Sequence, residues 1–306
     1  MTQKLQKDRV YSLIVGTEDD AVEINNLQIK FKVEKTSSNK DKKNTAYVEI
    51  YNLSEDRRIK LEEDYVQVSL SVGYADTQIL PLFQGQVKNI TSSRLNNFLT
   101  KRQGTELVTR LDIDELYTVL NGMPLSDVVP SGKTVRDVIT RVIKDIPEVT
   151  RQEMAGEAIN QTLPNGYPMN GTPRQVLDNL SRDYDLEWQI DGGVLYVSDV
   201  GGSYSKDKDS VFSLGQMSGL IDRPQYINEE AKRLRRLKAG RKSQKEPKKN
   251  SIRFKILLNP AITAGSIVYL DFEELTGYYK VDEIIHEGDF RGNDWYSTLI
   301  CTEKVD

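Results

Sequence analysis

The sequence has little of the side-chain chemistry on which most enzymes and metalloproteins depend. Its 306 residues include one cysteine and one histidine. One cysteine cannot form an internal disulfide or a thiolate metal cluster, and one histidine cannot complete a two-histidine zinc motif. We therefore expect no metal, no cofactor and no catalytic residues.

Long apolar runs are missing too. No window approaches the ~18 consecutive apolar residues that a membrane-spanning helix needs. The first sixteen residues lack the apolar core of a secretory signal peptide. We expect a soluble protein that is made in a reducing compartment and does not contact a membrane. At roughly 150 residues per domain, the length predicts about two domains, with room for a small third one.

Charge is distributed unevenly along the chain. Residues 231–250, here called the basic segment, hold ten basic residues and one acidic residue, a net charge of +9. Because the whole chain carries −4, the remainder carries −13. The sequence therefore predicts an acidic body with one basic segment.

The basic segment has three interpretations. A nucleic-acid patch would neutralise phosphates, but the segment has no aromatic residue to stack on bases. A membrane-surface helix would need a larger apolar face than Leu234 and Leu237 provide. We favour a short helix closed by Gly240 and followed by a solvated loop at 241–250, which meets an acidic partner surface or a neighbouring subunit. The candidate interface residues are Arg233, Arg235, Arg236, Lys238, Arg241 and Lys242.

The first 116 residues alternate with the period of β-strands. Between Tyr65 and Tyr74 the apolar residues share one face, and they are Val66, Val68, Leu70 and Val72. Similar runs, separated by polar connectors, occur at 10–16, 27–35, 46–53, 81–90 and 106–113. Short strands at this spacing predict a β-sandwich or barrel over residues 1–116.

The period changes in residues 117–200. The spacing after Thr134 predicts an amphipathic helix that ends at Pro147, and Thr172-Pro173 predicts the start of a second helix. The pattern of residues 186–199 predicts a β-hairpin that turns at Asp191-Gly192. This region is therefore predicted to be a small α+β domain.

Strand patterns return in residues 201–306. They cover 251–259, 266–272, 278–288 and 294–303, and turn residues separate them. The predicted fold class is mainly β with an α+β insert. Two β-barrel or sandwich domains, 1–116 and 201–306, flank the α+β domain, and the second of them contains the basic segment.

Residues 131–134, Ser-Gly-Lys-Thr, resemble the end of a phosphate-binding loop. The full pattern needs a glycine at position 127, which is Asp127, and no strong strand pattern precedes the loop. An ordinary helix start is the favoured interpretation.

His286 and Cys301 are the remaining candidates for chemistry. His286 lies close to Glu287 and Asp289 and could act as a base or ligand, but it also continues an alternating strand. Cys301 continues the apolar alternation of the last strand, and His286 is the only available activating histidine. Structural roles in strands are favoured for both.

The C-terminal stretch carries the most specific motifs. Residues 254–270 contain the pattern LLNP-x-I-x-x-G-x-x-V-x-L, and residues 277–301 contain G-x-Y-x-V-x-x-x-x-H-x-G-D-x-x-G-x-x-W. Near the other end stand YVEIYNLSEDRR (47–58), LSVGY (70–74) and LFQGQV (82–87). In these motifs the chain resembles the baseplate hub proteins of phage tails, with weaker support in its middle third.

This resemblance implies a structural protein of the virion. In such a hub the two tube-like domains of each subunit are similar, and three subunits form a ring that adapts a sixfold tail tube to a threefold central spike. The implied partners are further copies of the chain, the tail tube protein and the spike protein, and possible additional ones are the tape measure and baseplate wedge proteins. An acidic lumen would let DNA pass without specific binding.

Three alternatives stay open on the sequence. The first is a tail protein of a non-contractile phage, which shares the same domains. The second is a tail-associated cell-wall hydrolase that uses carboxylates such as Asp282, Glu283 or Asp289. The third is a nucleic-acid-binding protein that uses the basic segment.

Overall fold

The computed structural model describes most of the chain outside the basic segment. The described residues are 8–17, 20–37, 44–61, 66–97, 102–115, 117–122, 124–144, 146, 148–200, 202, 211–215, 219–227 and 251–303. In this part of the chain, no helix combines the length and the apolar character that a membrane crossing requires.

The N-terminal module comprises the described residues up to 115. Its strands are β1 (Arg9–Gly16), β2 (Ala21–Ile24), β3 (Ile29–Thr36), β4 (Thr45–Tyr51), β5 (Gln67–Tyr74), β6 (Leu80–Asn97) and β7 (Arg102–Asp114), and its helix is α1 (Glu55–Leu61). The alternation predicted for β5 is confirmed, because Val66, Val68, Leu70 and Val72 are at most 2% exposed. They pack in a core built mainly from this module.

The middle module comprises residues 117–200. Its elements are α2 (Tyr117–Gly122), β8 (Leu125–Val129), α3 (Val135–Ile143), β9 (Arg151–Met154), β10 (Tyr167–Gly171), α4 (Pro173–Asp183), β11 (Leu186–Asp191) and β12 (Val194–Asp199). Capping boxes at Thr134 and Thr172 begin α3 and α4, as the sequence predicts. The hairpin turns at Gly192-Gly193, one residue later than predicted, because both glycines have the positive φ that a two-residue turn needs. A separate hydrophobic core holds this module together.

The C-terminal module begins at residue 211. Its strands are β13 (Phe212–Gly215), β14 (Gln225–Tyr226), β15 (Ser251–Leu257), β16 (Ile267–Asp271), β17 (Gly277–Asp289) and β18 (Trp295–Glu303). Buried residues from most of these strands form a third core. The mainly β fold class with an α+β middle is confirmed, while closure of each β module into a barrel stays a prediction.

One sheet runs through both β modules. Thirteen strands of the described part belong to it, in the order β14-β15-β18-β17-β3-β4-β7-β6-β5-β1-β2, with β13 and β16 off this path. The long strand β17 makes the connection: its first part pairs with β16, and its second part pairs antiparallel with β3. Local alternation predicts the strands but not this pairing between distant segments.

The two β modules have the same strand order. It is β3-β4-β7-β6-β5 in the N-terminal module and β14-β15-β18-β17-β16 in the C-terminal module. The pairing of the penultimate strand with the last one shifts register after Val87 in β6 and after Val281 in β17. At these points Val87 N donates to Val66 O and Val281 N donates to Ser266 O, each at 2.9 Å. The modules are therefore structural repeats in which β6 corresponds to β17 and β3 to β14.

Candidate functional site: the junction of the modules

The joint between β17 and β3, here called the seam, depends on a missing side chain. Gly288 lies opposite Phe31, and a Cβ atom on Gly288 would lie 2.2 Å from the Phe31 ring. The Phe31 ring packs edge-on against Trp295 with 5.5 Å between the ring centroids, and both side chains are 3% exposed. The motif glycine and tryptophan thus have a packing role, since together they accept an aromatic ring from the N-terminal module.

Asp289 fixes the end of the seam by polar contacts. Its carboxylate accepts hydrogen bonds from the Gln28 side chain and from Gly292 N at 2.8 Å, and it pairs with Lys30 Nζ at 3.2 Å. Burial by itself would raise the pKa of Asp289, but the hydrogen bonds from Gln28 and Lys30, with the Lys30 charge, lower it below its usual value. Arg9 adds bonds from its guanidinium to the carbonyls of Asp289 and Gly292, at 3.0 and 2.7 Å. The motif aspartate is therefore an ionised, structural carboxylate.

A buried charge cluster joins all three modules beside the seam. Lys35 Nζ of β3 lies 2.6 Å from Asp191 Oδ1 of the middle module, and the two side chains are 6% and 13% exposed. The other carboxylate oxygen of Asp191 accepts a bond from the Thr263 hydroxyl of the C-terminal module. Glu115 accepts bonds from Gly192 N at 2.9 Å and from Asn44 Nδ2 at 3.1 Å. One ion pair and several hydrogen bonds thus hold the middle module against both β modules.

The cluster changes the protonation of Glu115. Burial and, next, the Asp191 charge raise its pKa to about 8, although the Lys35 charge and the hydrogen bonds from Asn44 and Gly192 oppose the rise. Near neutral pH this carboxyl is therefore largely protonated.

A second contact between the middle and C-terminal modules lies close to this cluster. Lys280 Nζ lies 3.4 Å from Glu187 Oε2, and both side chains are at most 7% exposed. Gln189 Nε2 donates to Ala264 O at 3.0 Å. The junction thus holds buried ion pairs, which fix geometry because breaking either pair would strand a charge away from water.

The structure places His286 and Cys301 in buried strand positions, as the favoured interpretation predicts. His286 is fully buried, and its Nδ1 lies 2.8 Å from Ser297 Oγ. Burial and, next, the Lys35 charge lower the pKa of His286 to about 3, so the ring is neutral. Burial and the Asp282 charge raise the pKa of the Cys301 thiol well above its usual value. A neutral imidazole and a protonated thiol, both shielded from solvent, offer substrates neither a base nor a nucleophile.

The carboxylates of the hydrolase alternative have structural partners. Asp282 lies at the register shift of β17, where its carboxylate accepts the Thr302 hydroxyl and its carbonyl accepts Ser37 N at 2.8 Å. Asp289 belongs to the seam, and Glu283 is half-buried and lies opposite Thr36. Among the described residues, no group of three or more His, Cys, Asp or Glu side chains could hold a metal ion.

Residues 131–134 form the start of α3. Thr134 N donates to Asp137 Oδ2 at 2.8 Å, and Asp137 N donates to Thr134 Oγ1 at 3.4 Å. A strand, β8, does precede this turn, contrary to expectation, but it carries Asp127 where a phosphate loop needs glycine. The helix-start interpretation is confirmed.

The candidate interface of the basic segment lies outside the described residues. This applies to Arg233, Arg235, Arg236, Lys238, Arg241 and Lys242.

The sheet face opposite the core carries charged side chains, and several of them form ion pairs within a strand or between neighbouring strands. Lys32 Nζ lies 2.7 Å from Glu34 Oε1. Arg110 Nε lies 2.9 Å from Asp112 Oδ1, and its Nη1 lies 3.3 Å from Glu49 Oε1. Lys32 and Arg110 thus each have a carboxylate partner, so neither is an unpaired positive charge that a phosphate would meet here.

Sequence reasoning missed the charge cluster, although one signal was present. Lys35 lies two and four residues after Val33 and Phe31, so the period of two places it on their buried face. An inward-pointing lysine in a strand requires a buried partner. Its partners Asp191 and Glu115 lie in other modules, and spacing along the chain cannot identify them.

Comparisons with known proteins identify the fold through solved structures. No family model matches the sequence, and no curated protein matches it. The chain is similar to a tail protein from Neisseria meningitidis MC58, with a TM-score of 0.63 and 11% identity over 96% of this chain and 97% of that one. It is also similar to the 43 kDa tail protein of prophage MuSo2 from Shewanella oneidensis, with a TM-score of 0.61 and 11% identity over 96% and 98% of the two chains.

A third similar structure is that of a secretion-system protein. An E. coli component of the type VI secretion system, itself described as structurally similar to the bacteriophage T4 tail proteins gp27 and gp5, matches with a TM-score of 0.57 and 7% identity. The match covers 92% of this chain and 74% of that one. The resemblance predicted from the terminal motifs is thus confirmed at the level of the fold: the chain has the fold of phage tail proteins.

Proposed function

We propose that this chain is a structural baseplate hub of a phage tail. In this proposal three copies form a ring that adapts the sixfold tail tube to the threefold central spike and forms part of the conduit for DNA and the tape measure protein. The observation that carries it is the single sheet in which two modules of the same strand order are joined side by side. Three such chains present six similar modules, which is how a threefold assembly can match a sixfold one.

The domain division 1–116, 117–200 and 201–306 belongs to the same proposal. Three hydrophobic cores support it, although Leu258 and Trp295 of the C-terminal module pack in the core of the N-terminal one. The ring would lie in the virion baseplate, in contact with tail tube and spike proteins and next to wedge proteins.

The conduit wall in this proposal is the polar sheet face. Lys30, Lys32 and Arg110 on this face are paired with Glu34, Glu49, Asp112 and Asp289. A wall whose cations are already neutralised lets DNA pass without binding, since DNA binding needs cations that replace the counterions of phosphate.

Sedimentation tests the proposal on the purified chain. Up to about 1 mM, where even weak self-association populates oligomers, we expect a monomer–trimer equilibrium, and electron micrographs of the trimer should show a ring of six similar lobes. A protein that stays monomeric or closes with another number of copies would contradict the proposal. Zymography addresses the hydrolase alternative, because a cleared zone in peptidoglycan would contradict a purely structural role.

A further inference from the structure

In the described part of the chain, the repeated strand order leaves two strand edges without a partner strand, one on β6 and one on β14. Beyond Val87, β6 pairs with β7 on one side and with no described strand on the other, and β14 pairs with β15 alone. Within the chain, the counterparts of these two edges pair with each other, because β17 corresponds to β6 and β3 corresponds to β14. The described part of each chain therefore contains one completed seam and the two halves of a second seam.

We propose that β6 of one copy pairs antiparallel with β14 of a second copy and so repeats between copies the seam that β17 and β3 form within one. This inference rests on the proposed ring and names the strands that close it. Since every copy offers one edge of each kind, the contact is head-to-tail and produces a closed ring when the rotation allows it.

The repeat fixes the register of this contact. Ser92 corresponds to His286, and both form a cross-strand hydrogen bond at the matching position: Ser92 Oγ to Thr109 Oγ1 at 3.2 Å, and His286 Nδ1 to Ser297 Oγ at 2.8 Å. Tyr226 lies opposite Ile252, and Val33 lies opposite Ala46. Ile252 and Ala46 are matching positions of the repeat, so Tyr226 corresponds to Val33. His286 lies opposite Val33 within the chain. Ser92 is therefore expected opposite Tyr226 of the neighbouring copy.

Backbone directions agree with this register. Asn52 N donates to Leu107 O at 2.7 Å, which directs the backbone groups of Leu107 toward β4. By the alternation of an antiparallel ladder, those of Arg110 then point to β6 and those of Ser92 point away from β7.

The backbone directions of β14, the other edge, agree with this register as well. Ile227 N donates to Ser251 O at 2.8 Å, so the backbone groups of Tyr226 point away from β15. Ser92 and Tyr226 can therefore exchange two backbone hydrogen bonds. A slip of one residue would instead place opposite each other residues whose backbone N–H and C=O groups do not point across the contact.

Exposure supports the same contact. The Tyr226 side chain is 65% exposed, whereas its counterpart Val33 is fully buried under the seam. Large apolar side chains on an unpaired edge strand are typical of surfaces that pair with another chain. The short side chain of Ser92 leaves room beside Thr109 for the tyrosine ring.

Engineered disulfides test the register. Ser93 and Gln225 would be neighbours in a non-hydrogen-bonded pair, whose Cα atoms are about 4.5 Å apart, within the range of a disulfide. We expect the S93C–Q225C double variant, oxidised at concentrations that populate the trimer, to give a cross-linked trimer that a reductant dissolves. The matched control T91C–Q225C moves one cysteine two residues along the same face and should not cross-link. The native Cys301 is fully buried and stays out of the reaction.

Two further arms make the result decisive. A mixture of the single variants S93C and Q225C should give only dimers, which shows that the bond joins different copies. Matching urea unfolding curves for the two double variants exclude misfolding as the cause of a difference. A trimer that fails to cross-link through S93C–Q225C, or that cross-links equally through T91C–Q225C, would overturn the inference and leave the ring standing. A chain that remains monomeric would contradict both.

Discussion

The seam and the open edges use the same topology with different side chains. At the seam, Gly288 makes room for Phe31, and Trp295 closes the packing. At the open edges, the counterpart of Gly288 is the exposed Arg94, and the counterpart of Phe31 is Pro224. Apolar packing makes the seam permanent, whereas a charged side chain and a residue without an N–H limit unspecific pairing of the edges. One strand arrangement thus serves as a fixed joint in one place and as an assembly contact in another.

Truncation of the aromatic residue on each side should separate the two kinds of joint. Phe31→Ala is expected to lower the free energy of unfolding by about 3–5 kcal/mol, because it leaves a cavity under Trp295. Tyr226→Ala should change monomer stability by no more than about 0.5 kcal/mol, because its ring is exposed, but it should abolish the trimer. Urea unfolding and sedimentation measure the two effects, and a large loss of monomer stability in Tyr226→Ala would end the distinction.

The charge cluster offers a comparison between the two faces of one strand. Lys35→Met leaves Asp191 buried beside the raised-pKa carboxyl of Glu115 and should cost about 3–5 kcal/mol in urea unfolding. The control Lys32→Met removes a half-exposed lysine from its pair with Glu34 and should cost no more than about 1 kcal/mol. In the double variant Lys35→Met, Asp191→Leu most of the loss should return. If the double variant is as unstable as the single one, the stranded charge is not the cause.

Two glycines of β17 distinguish the seam from an ordinary strand position. Gly288→Ala drives a methyl group into the Phe31 ring and should destabilise the protein by about 1–3 kcal/mol. Gly277→Ala is the matched control, because its nearest neighbouring atom would lie 3.9 Å away, and it should stay within about 0.5 kcal/mol of the parent protein. Equal midpoints in thermal unfolding would contradict the close approach of the two strands.

The pH dependence of stability reports on the junction rather than on the open edges. Because the pKa of Glu115 is about 8 in the folded protein and 4.5 in its ordinary state, the folded chain holds the extra proton between these values. The contribution of Glu115 is therefore complete below about pH 4.5 and is lost as the pH rises to about 8.

A variant isolates this contribution. The Glu115→Gln protein should gain stability relative to the parent between pH 5 and pH 8 in urea unfolding, since its amide cannot lose a proton. His286, whose pKa of about 3 makes stability fall in acid, is the same in both proteins and cancels. A constant difference across this range would show that the carboxyl titrates normally.

The parts of the fold that the sequence predicts are those with a local cause. Alternation places Val66 to Val72 on a strand, and capping residues start α3 and α4 at Thr134 and Thr172. The parallel pairing of β9 with β12 escaped prediction, because four residues with mixed exposure show no clear period. The seam escaped it because strand pairing between the two ends of a chain leaves no local pattern.

The candidate site follows the same rule. The motif residues Gly288, Asp289 and Trp295 were identified by resemblance, and their physical role became clear only when β3 was placed beside them. Lys35 could have been recognised as buried from its position in β3, but Asp191 and Glu115 needed the three-dimensional contacts.

The most direct test of the central claim is the number of copies and of lobes in the assembled particle. Cryo-electron microscopy of the concentrated chain should show a closed ring of three copies, with six similar β modules and a continuous sheet from each copy to the next. A ring with six copies, an open filament, or a trimer held together through the middle modules would contradict it.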